Sequence, residues 1–349
     1  VSPHDGGVAA LSFPHETPPP SGEVTEVAEG VLWLRMTLPF VLNHINLWLL
    51  EDGAGWTIVD TGIANDDTKA VWERIFAEAL GGKPVTRVLV THFHPDHMGL
   101  AGWLCRRWQA PLWTTEGEWL WARSLSLDAD DASFVEEQRP FYRRTGIDEQ
   151  AIATFGARGN PYRSRVTPVP RSFERLQDGS ELRIGGRLWR VVIGRGHAPE
   201  HACLHCPELR LFISGDQVLP KISPNVSVWS TEPDGNPLAL FLASLEKVRA
   251  AVPDDVLVLP SHNLPFRGLH ARIEQLALHH DERLAECEAA CAAPKTAAEI
   301  VPVLFRRTLD AHQLGFALGE ALAHLHYLVH AGRLVRTRRE DGIDLFRRR

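Results

Sequence analysis

No apolar run in the 349 residues approaches the eighteen or so needed to span a bilayer, so no membrane segment is expected. Residues 1–22 carry Pro18, Pro19 and Pro20 but lack a basic stretch followed by an apolar core, which reads as a loose arm rather than a secretory signal and makes a cytoplasmic location the default. Charge of one sign is also missing: 37 Lys and Arg stand against 44 Asp and Glu, giving the whole chain no electrostatic reason to seek nucleic acid or anionic lipid. Cysteine is scarce and odd in number. Cys203 and Cys206 form a lone C-x-x-C without the second pair of a zinc ribbon, and Cys287 and Cys291 stand one helical turn apart, so all five are expected to be reduced packing residues. With 44% hydrophobic and 23% charged residues the composition is that of an ordinary globular protein, and the length favours two domains.

Along the chain, Val31–Arg35, Ile45–Leu50 and Trp56–Asp60 read as antiparallel strands, and Asp66–Leu80 carries helical spacing that Gly81 and Gly82 end. Arg87–Thr91 is a short apolar strand running directly into His92. Residues 117–161 are irregularly helical and aromatic, with Trp119, Trp121, Phe134, Phe141 and Tyr142, and resemble an inserted lid. A second strand-rich half follows through Leu182–Ile184, Trp189–Ile193, Ala202–Cys206, Leu211–Ser214 and Val256–Pro260. Pro294 marks a boundary, Thr296 and Glu299 form a capping box, and an amphipathic helix with a following hairpin suggests a winged helix. The expected organisation is an arm over 1–23, a catalytic domain over 24–268, a connecting helix over 269–292 and a winged-helix-like domain over 293–349.

The strongest chemical signal is His92-Phe93-His94-Pro95-Asp96-His97 at the end of a strand. Four polar titratable groups placed together cost several kcal/mol of desolvation unless a cation organises them, and first-row divalent metals favour this mixture of nitrogen and oxygen donors. His197, Asp216 and His262 each follow or close a later strand.

Through Val59-Asp60-Thr61-Gly62, the His92–His97 motif, His197, Asp216 and His262, residues 24–268 resemble the metallo-β-lactamase superfamily. The resemblance implies an α/β fold, an αββα sandwich with its metals at one edge and here a small C-terminal winged-helix-like domain. It further implies that His92, His94 and His197 hold one metal, that Asp96, His97 and His262 hold a second, and that Asp216 bridges them. Two divalent ions are expected, zinc first, with iron or manganese as alternatives. Asp60 is read as the outer carboxylate that fixes a ligand tautomer, with turn capping as its alternative, and Thr61 and Gly62 as shaping the turn. Glu200 and His201 stand where many relatives carry a Gly and a small hydroxyl residue. His201 is therefore read either as a pocket or proton-transfer group or as a residue behind the ligands.

Such a centre implies hydrolysis by a bridging hydroxide, with Asp96 or a bound water protonating the leaving group. The leading substrate class is a small-molecule ester, thioester, lactone or lactam, with Asn225 and the aromatic insert as candidate contacts. A metal-dependent ribonuclease and a mononuclear iron persulfide dioxygenase are the alternatives. Residues 293–349 hold ten Lys or Arg and six Asp or Glu, a weak argument for nucleic acid. No membrane partner is expected, and a homodimer is open.

Overall fold

Strands form where apolar residues can be covered on both faces. The computed structural model describes residues 10–156 and 159–349, so residues 1–9 of the expected arm lie outside the described residues. Seven strands, β1 (Thr25–Ala28), β2 (Val31–Thr37), β3 (His44–Asp52), β4 (Gly55–Val59), β5 (Val85–Leu89), β6 (Leu112–Thr114) and β7 (Glu174–Arg175), form one sheet in sequence order. Pairing is antiparallel up to β4 and parallel from β4 to β7. Five more, β8 (Glu181–Ile184), β9 (Arg187–Gly194), β10 (His201–Cys206), β11 (Leu211–Gly215) and β12 (Leu257–Pro260), form a second sheet in the order β12-β11-β10-β9-β8.

Period-two alternation sorts the first sheet's side chains. Val31, Trp33, Trp48, Leu50, Val59 and Leu89 join Trp189, Val191, Leu204, Ile213 and Leu259 in a core between the sheets. Leu34, Met36, Ile45, Leu47 and Ile58 face the other way, against Trp72, Ile75 and Phe76 of helix Asp66–Glu78 and Leu104 of helix Ala101–Trp108. Because both faces are covered, the strands read as nearly continuous apolar runs. On the second sheet, Lys247 of helix Pro237–Ala251 donates to the Ile193 carbonyl at 2.9 Å. The described end of the arm is paired: Ser12 bridges Arg267, and Phe13 lies 6.5 Å from Phe266.

The chain divides into two compact units. One comprises the described part of Val1–Leu127 with Tyr162–Pro224 and Leu245–Glu274; the other comprises Asp128–Pro161, Asn225–Ser244 and Gln275–Arg349. These boundaries differ from the expected ones. The aromatic insert is shared, its helix Glu116–Leu127 belonging to the first unit and the rest to the second. Within the second unit, Thr296 and Glu299 form the capping box that opens helix Ala297–Leu304. Helix Ala311–His330 follows, then a hairpin of β13 (Leu334–Arg338) and β14 (Asp344–Arg348). Buried Asp344 accepts from Arg144 and Arg338, while Asp234 accepts from Arg144 and Arg336. Among the described residues no helix is long and apolar enough to cross a membrane.

The stacked pair Trp33 and Trp48, 6.1 Å apart and inaccessible to solvent, fills the space between the sheets. Trp48→Ala is expected to cost about 3–5 kcal/mol, read as a lower urea midpoint of tryptophan fluorescence; an unchanged midpoint would show that the pair is not central to the core.

Candidate metal centre

Strands β9, β11 and β12 run in one direction, as do β4 and β5, and each ends in a chemically armed turn. Asp60 follows β4, His92 follows β5, His197 follows β9, Asp216 follows β11 and His262 follows β12. The two sheets are tied at this edge, where Ala202 N–H donates to the Thr91 carbonyl and Asn46 N–H to the Ser261 carbonyl. All these residues lie in the first unit.

The seven residues expected as ligands come together as two donor groups, His92, His94, His197 and Asp216, and Asp96, His97 and His262, with the donor atoms of each group within 4.8 Å of one another. In the first group, His92 Nε2 lies 2.8 Å from His94 Nδ1 and 3.2 Å from His197 Nε2, and His197 Nε2 lies 3.5 Å from Asp216 Oδ2. In the second, Asp96 Oδ2 stands 3.6 Å from His97 Nε2 and 3.5 Å from His262 Nε2. Asp216 Oδ1 is 3.4 Å from His262 Nε2 and its Oδ2 is 3.7 Å from His97 Nε2, so the carboxylate stands between the two groups.

Apart from the His92–His94 contact, which is at hydrogen-bond distance, these spacings match those of ligands around a shared cation. Bonds of 2.0–2.1 Å to a tetrahedral ion put its ligands about 3.3 Å apart. The buried atoms His97 Nε2 and Asp216 Oδ1 have no hydrogen-bond partner, although unpaired buried polar atoms are costly. Burial and neighbouring imidazoles hold His92 well below the ordinary histidine range, leaving a neutral ring whose lone pair can bind a cation. Burial opposes charge on His97, yet Asp60, Asp96 and Asp216 outweigh it and lift the ring well above that range. The site thus calls for a positive charge beside these carboxylates. A His and Asp donor set without thiolate fits a first-row divalent ion.

A layer of hydrogen bonds orients the donors. Asp60 occupies the left-handed region at φ 63°, a conformation that Asp tolerates better than most residues. Its Oδ2 accepts from His97 Nδ1 at 2.8 Å, which leaves Nε2 as the donor to a cation. The Thr91 hydroxyl donates to Asp60 and lies 3.1 Å from His92 Nδ1, linking a second ring to the same carboxylate. Thr61 Oγ1 donates to the His97 carbonyl at 2.6 Å and accepts the Leu100 N–H, a turn-shaping role. His262 Nδ1 donates to the His44 carbonyl at 2.7 Å, and His44 Nε2 accepts the Asn263 N–H at 2.9 Å.

His201 opens strand β10 beside these groups. It is fully buried, stacks on His92 at 4.8 Å, and accepts the Asp216 N–H at its Nε2. Burial first, then His197, pushes it down to about 3. Its Nε2 thus anchors the Asp216 backbone. Gly215, at φ 52°, makes room: a Cβ there would lie 2.4 Å from the His201 ring.

Several participants carry no local sequence signal. Thr91, His44 and Asn46 sit on or beside apolar strands and become relevant only when the sheet edge assembles. Glu118, inside the segment read only as a helical insert, is fully buried, and its Oε2 accepts the Phe93 N–H at 2.8 Å. Burial pushes this carboxyl up to about 8 against the pull of the Glu200 and Phe93 amides.

Asp60→Asn offers a test of the orienting layer, because one side-chain atom facing His97 or Thr91 becomes a donor. A 10–100-fold loss of zinc affinity is expected, measured by chelator competition on the full chain; wild-type affinity would show that Asp60 only caps its turn.

A model of the metallo-beta-lactamase superfamily matches residues 41–262, and a model of the metallo-beta-lactamase-like C-terminal domain matches residues 284–349. The chain is 49% identical to a beta-lactamase domain protein from Burkholderia ambifaria whose crystal structure covers 97% of this chain and is covered over 98% of its own, with a TM-score of 0.90. It is 22% identical over 307 residues to the probable metallo-hydrolase YqjP of Bacillus subtilis, a match spanning 86% of this chain and 92% of that one. It is also 23% identical over 205 residues to the acyl-coenzyme A thioesterase MBLAC2 of Bos taurus, across 55% of this chain and 64% of that protein. With a family model over more than half its length and a nearly full-length relative at this identity, the chain belongs to the metallo-β-lactamase superfamily and is a hydrolase whose His and Asp cluster is its candidate metal centre.

Proposed function

We propose that the chain hydrolyses a small-molecule acyl compound, a thioester or ester first, at a centre of two divalent ions, with zinc the leading candidate and iron or manganese the alternatives. The observation that carries this reading is Asp216, whose carboxylate stands between the two donor groups, 3.5 Å from His197 Nε2 of the first and 3.4 Å from His262 Nε2 and 3.7 Å from His97 Nε2 of the second. His92, His94 and His197 would hold one ion and Asp96, His97 and His262 the other. When bound, such ions lower the pKa of water toward about 7 and polarise an acyl oxygen.

The chain's own groups supply orientation and proton handling. Asp60 keeps the His97 proton on Nδ1, and the His44 carbonyl keeps that of His262 on Nδ1, so both rings offer Nε2. Asp96 is the most exposed carboxylate of the centre, with 18% of its side chain accessible, and is the residue proposed to take the proton released by the attacking water and pass it to the leaving group. The supporting relative is the acyl-coenzyme A thioesterase. Ion pairing weighs against the ribonuclease alternative: in the second unit Arg306, Arg333, Arg336, Arg338 and Arg339 are each paired with Glu286, Glu288, Asp234, Asp344 or Asp341. Of these, the pairs of Arg306, Arg333 and Arg336 use acids outside residues 293–349 and so offset part of the positive excess read from the C-terminal sequence.

Elemental analysis of purified chain is expected to find about two divalent ions, and a panel of acyl-coenzyme A thioesters, aryl esters and single-stranded RNA to show turnover in the acyl compounds. His94→Ala is expected to lower that turnover about 10³-fold, equivalent to about 4 kcal/mol of barrier. A single iron, or RNA cleavage without acyl turnover, would overturn the reading. Because the ligands must be deprotonated, metal retention is expected to fall with pH below the histidine range, which a chelator titration at pH 5 and pH 8 would register.

A further inference from the structure

The first turn of helix Glu116–Leu127 engages both loops that carry the first donor group. Glu118 Oε2 accepts the N–H of Phe93, the residue between His92 and His94, at 2.8 Å, and Oε1 accepts the N–H of Glu200, three residues beyond His197, at 2.5 Å. Phe93 is held at its other end too, where Tyr162 Oη donates to its carbonyl at 2.6 Å. Glu200 is likewise gripped further: Thr115 Oγ1 donates to its carbonyl, and its Oε2 accepts the Gly117 N–H, both at 2.9 Å. One buried carboxyl group, whose ionised form the two donated amides favour against its burial, therefore joins two segments more than 100 positions apart in sequence, each bearing imidazoles of the same group.

We infer that Glu118, acting with Tyr162 through the Phe93 peptide, is a positioning residue that sets the spacing of His92 and His94 against His197. The inference rests on the metal-centre reading above. Two amides arriving from different directions need two acceptor atoms on one rigid group. A carboxylate provides them, whereas a carboxamide offers one acceptor and turns a donor toward the other N–H. Rotation of the Phe93 peptide would swing the rings on either side of it, and donor distances tolerate only about 0.2 Å of error in a metal site. A brace that merely filled the core would lower stability without changing how a bound ion is coordinated, and that difference is measurable.

The test uses the full chain, stripped by chelator and titrated with Co(II), read by its visible ligand-field bands, and with Zn(II) against a competing chelator. Glu118→Gln is expected to weaken both ions 10–100-fold and to shift the Co(II) bands. Tyr162→Phe is expected to produce a smaller change in the same direction, and Asp344→Asn, a buried carboxylate of the second unit, serves as the stability control with affinity and bands as in wild type. Wild-type affinity and spectrum in Glu118→Gln would overturn the inference. If that variant does not fold, Tyr162→Phe decides alone, an unchanged affinity and spectrum again overturning it. A wild-type chain that binds neither ion would instead overturn the metal-centre reading, and the positioning role with it.

Discussion

Everything at the functional edge of this protein depends on the electrostatic cost of gathering imidazoles and carboxylates away from water. His92, His97, His197, Asp216 and His262 are buried, and the structure relieves part of that cost by giving the outward-facing ring nitrogens of His92, His97 and His262 hydrogen-bond partners in Thr91, Asp60 and the His44 carbonyl. The inward-facing atoms are left with each other at spacings too long for hydrogen bonds in most cases. His97 Nε2 and Asp216 Oδ1 have no such partner at all. A polar core satisfied on its outside and unsatisfied on its inside is what a cation site requires.

The sandwich makes this arrangement possible by direction as much as by shape. Parallel strands place their carboxyl ends on the same side, so β4 and β5 in one sheet and β9, β11 and β12 in the other deliver loops to one rim. Antiparallel partners contribute by their beginnings: β3 opens on His44 and β10 on His201, both of which contact ligand-bearing segments. Two of these turns take positive φ. Asp60 in the left-handed region and Gly215 beneath His201 are held by the hydrogen bonds and ring contacts around them.

Much of the first unit was legible residue by residue. The strands around Val31, Ile45, Trp56, Trp189, Ala202 and Leu211 form where apolar runs are bounded by Gly, Asp and Pro, and helix Asp66–Glu78 stops short of Gly81. The capping box at Thr296 is likewise a local signal with a local cause. Other features had no such signal. Strand β7 is two exposed residues long and exists through its parallel partner β6. Helix Pro237–Ala251 is apolar through most of its length and shows no clean amphipathic period. The aromatic insert reads as one segment, but contacts from distant residues divide it between two units. His201 could be read in two ways because a histidine's chemistry depends on what surrounds it, and only the fold shows it buried with its Nε2 accepting the Asp216 N–H.

The order and identity of the donor residues, the strands that precede them and membership of a hydrolase superfamily were carried by the sequence, because a ligand motif at a strand end is a short-range pattern of residue types. Tertiary structure alone decided which atoms face the centre, which carboxylate orients which ring, and that Glu118 and Tyr162 grip the Phe93 peptide. The physical reason is that hydrogen bonds and desolvation act over a few ångströms of space, and residues such as Asp60 and His97, or Phe93 and Glu200, become neighbours only after the chain has closed loops of tens to more than a hundred residues.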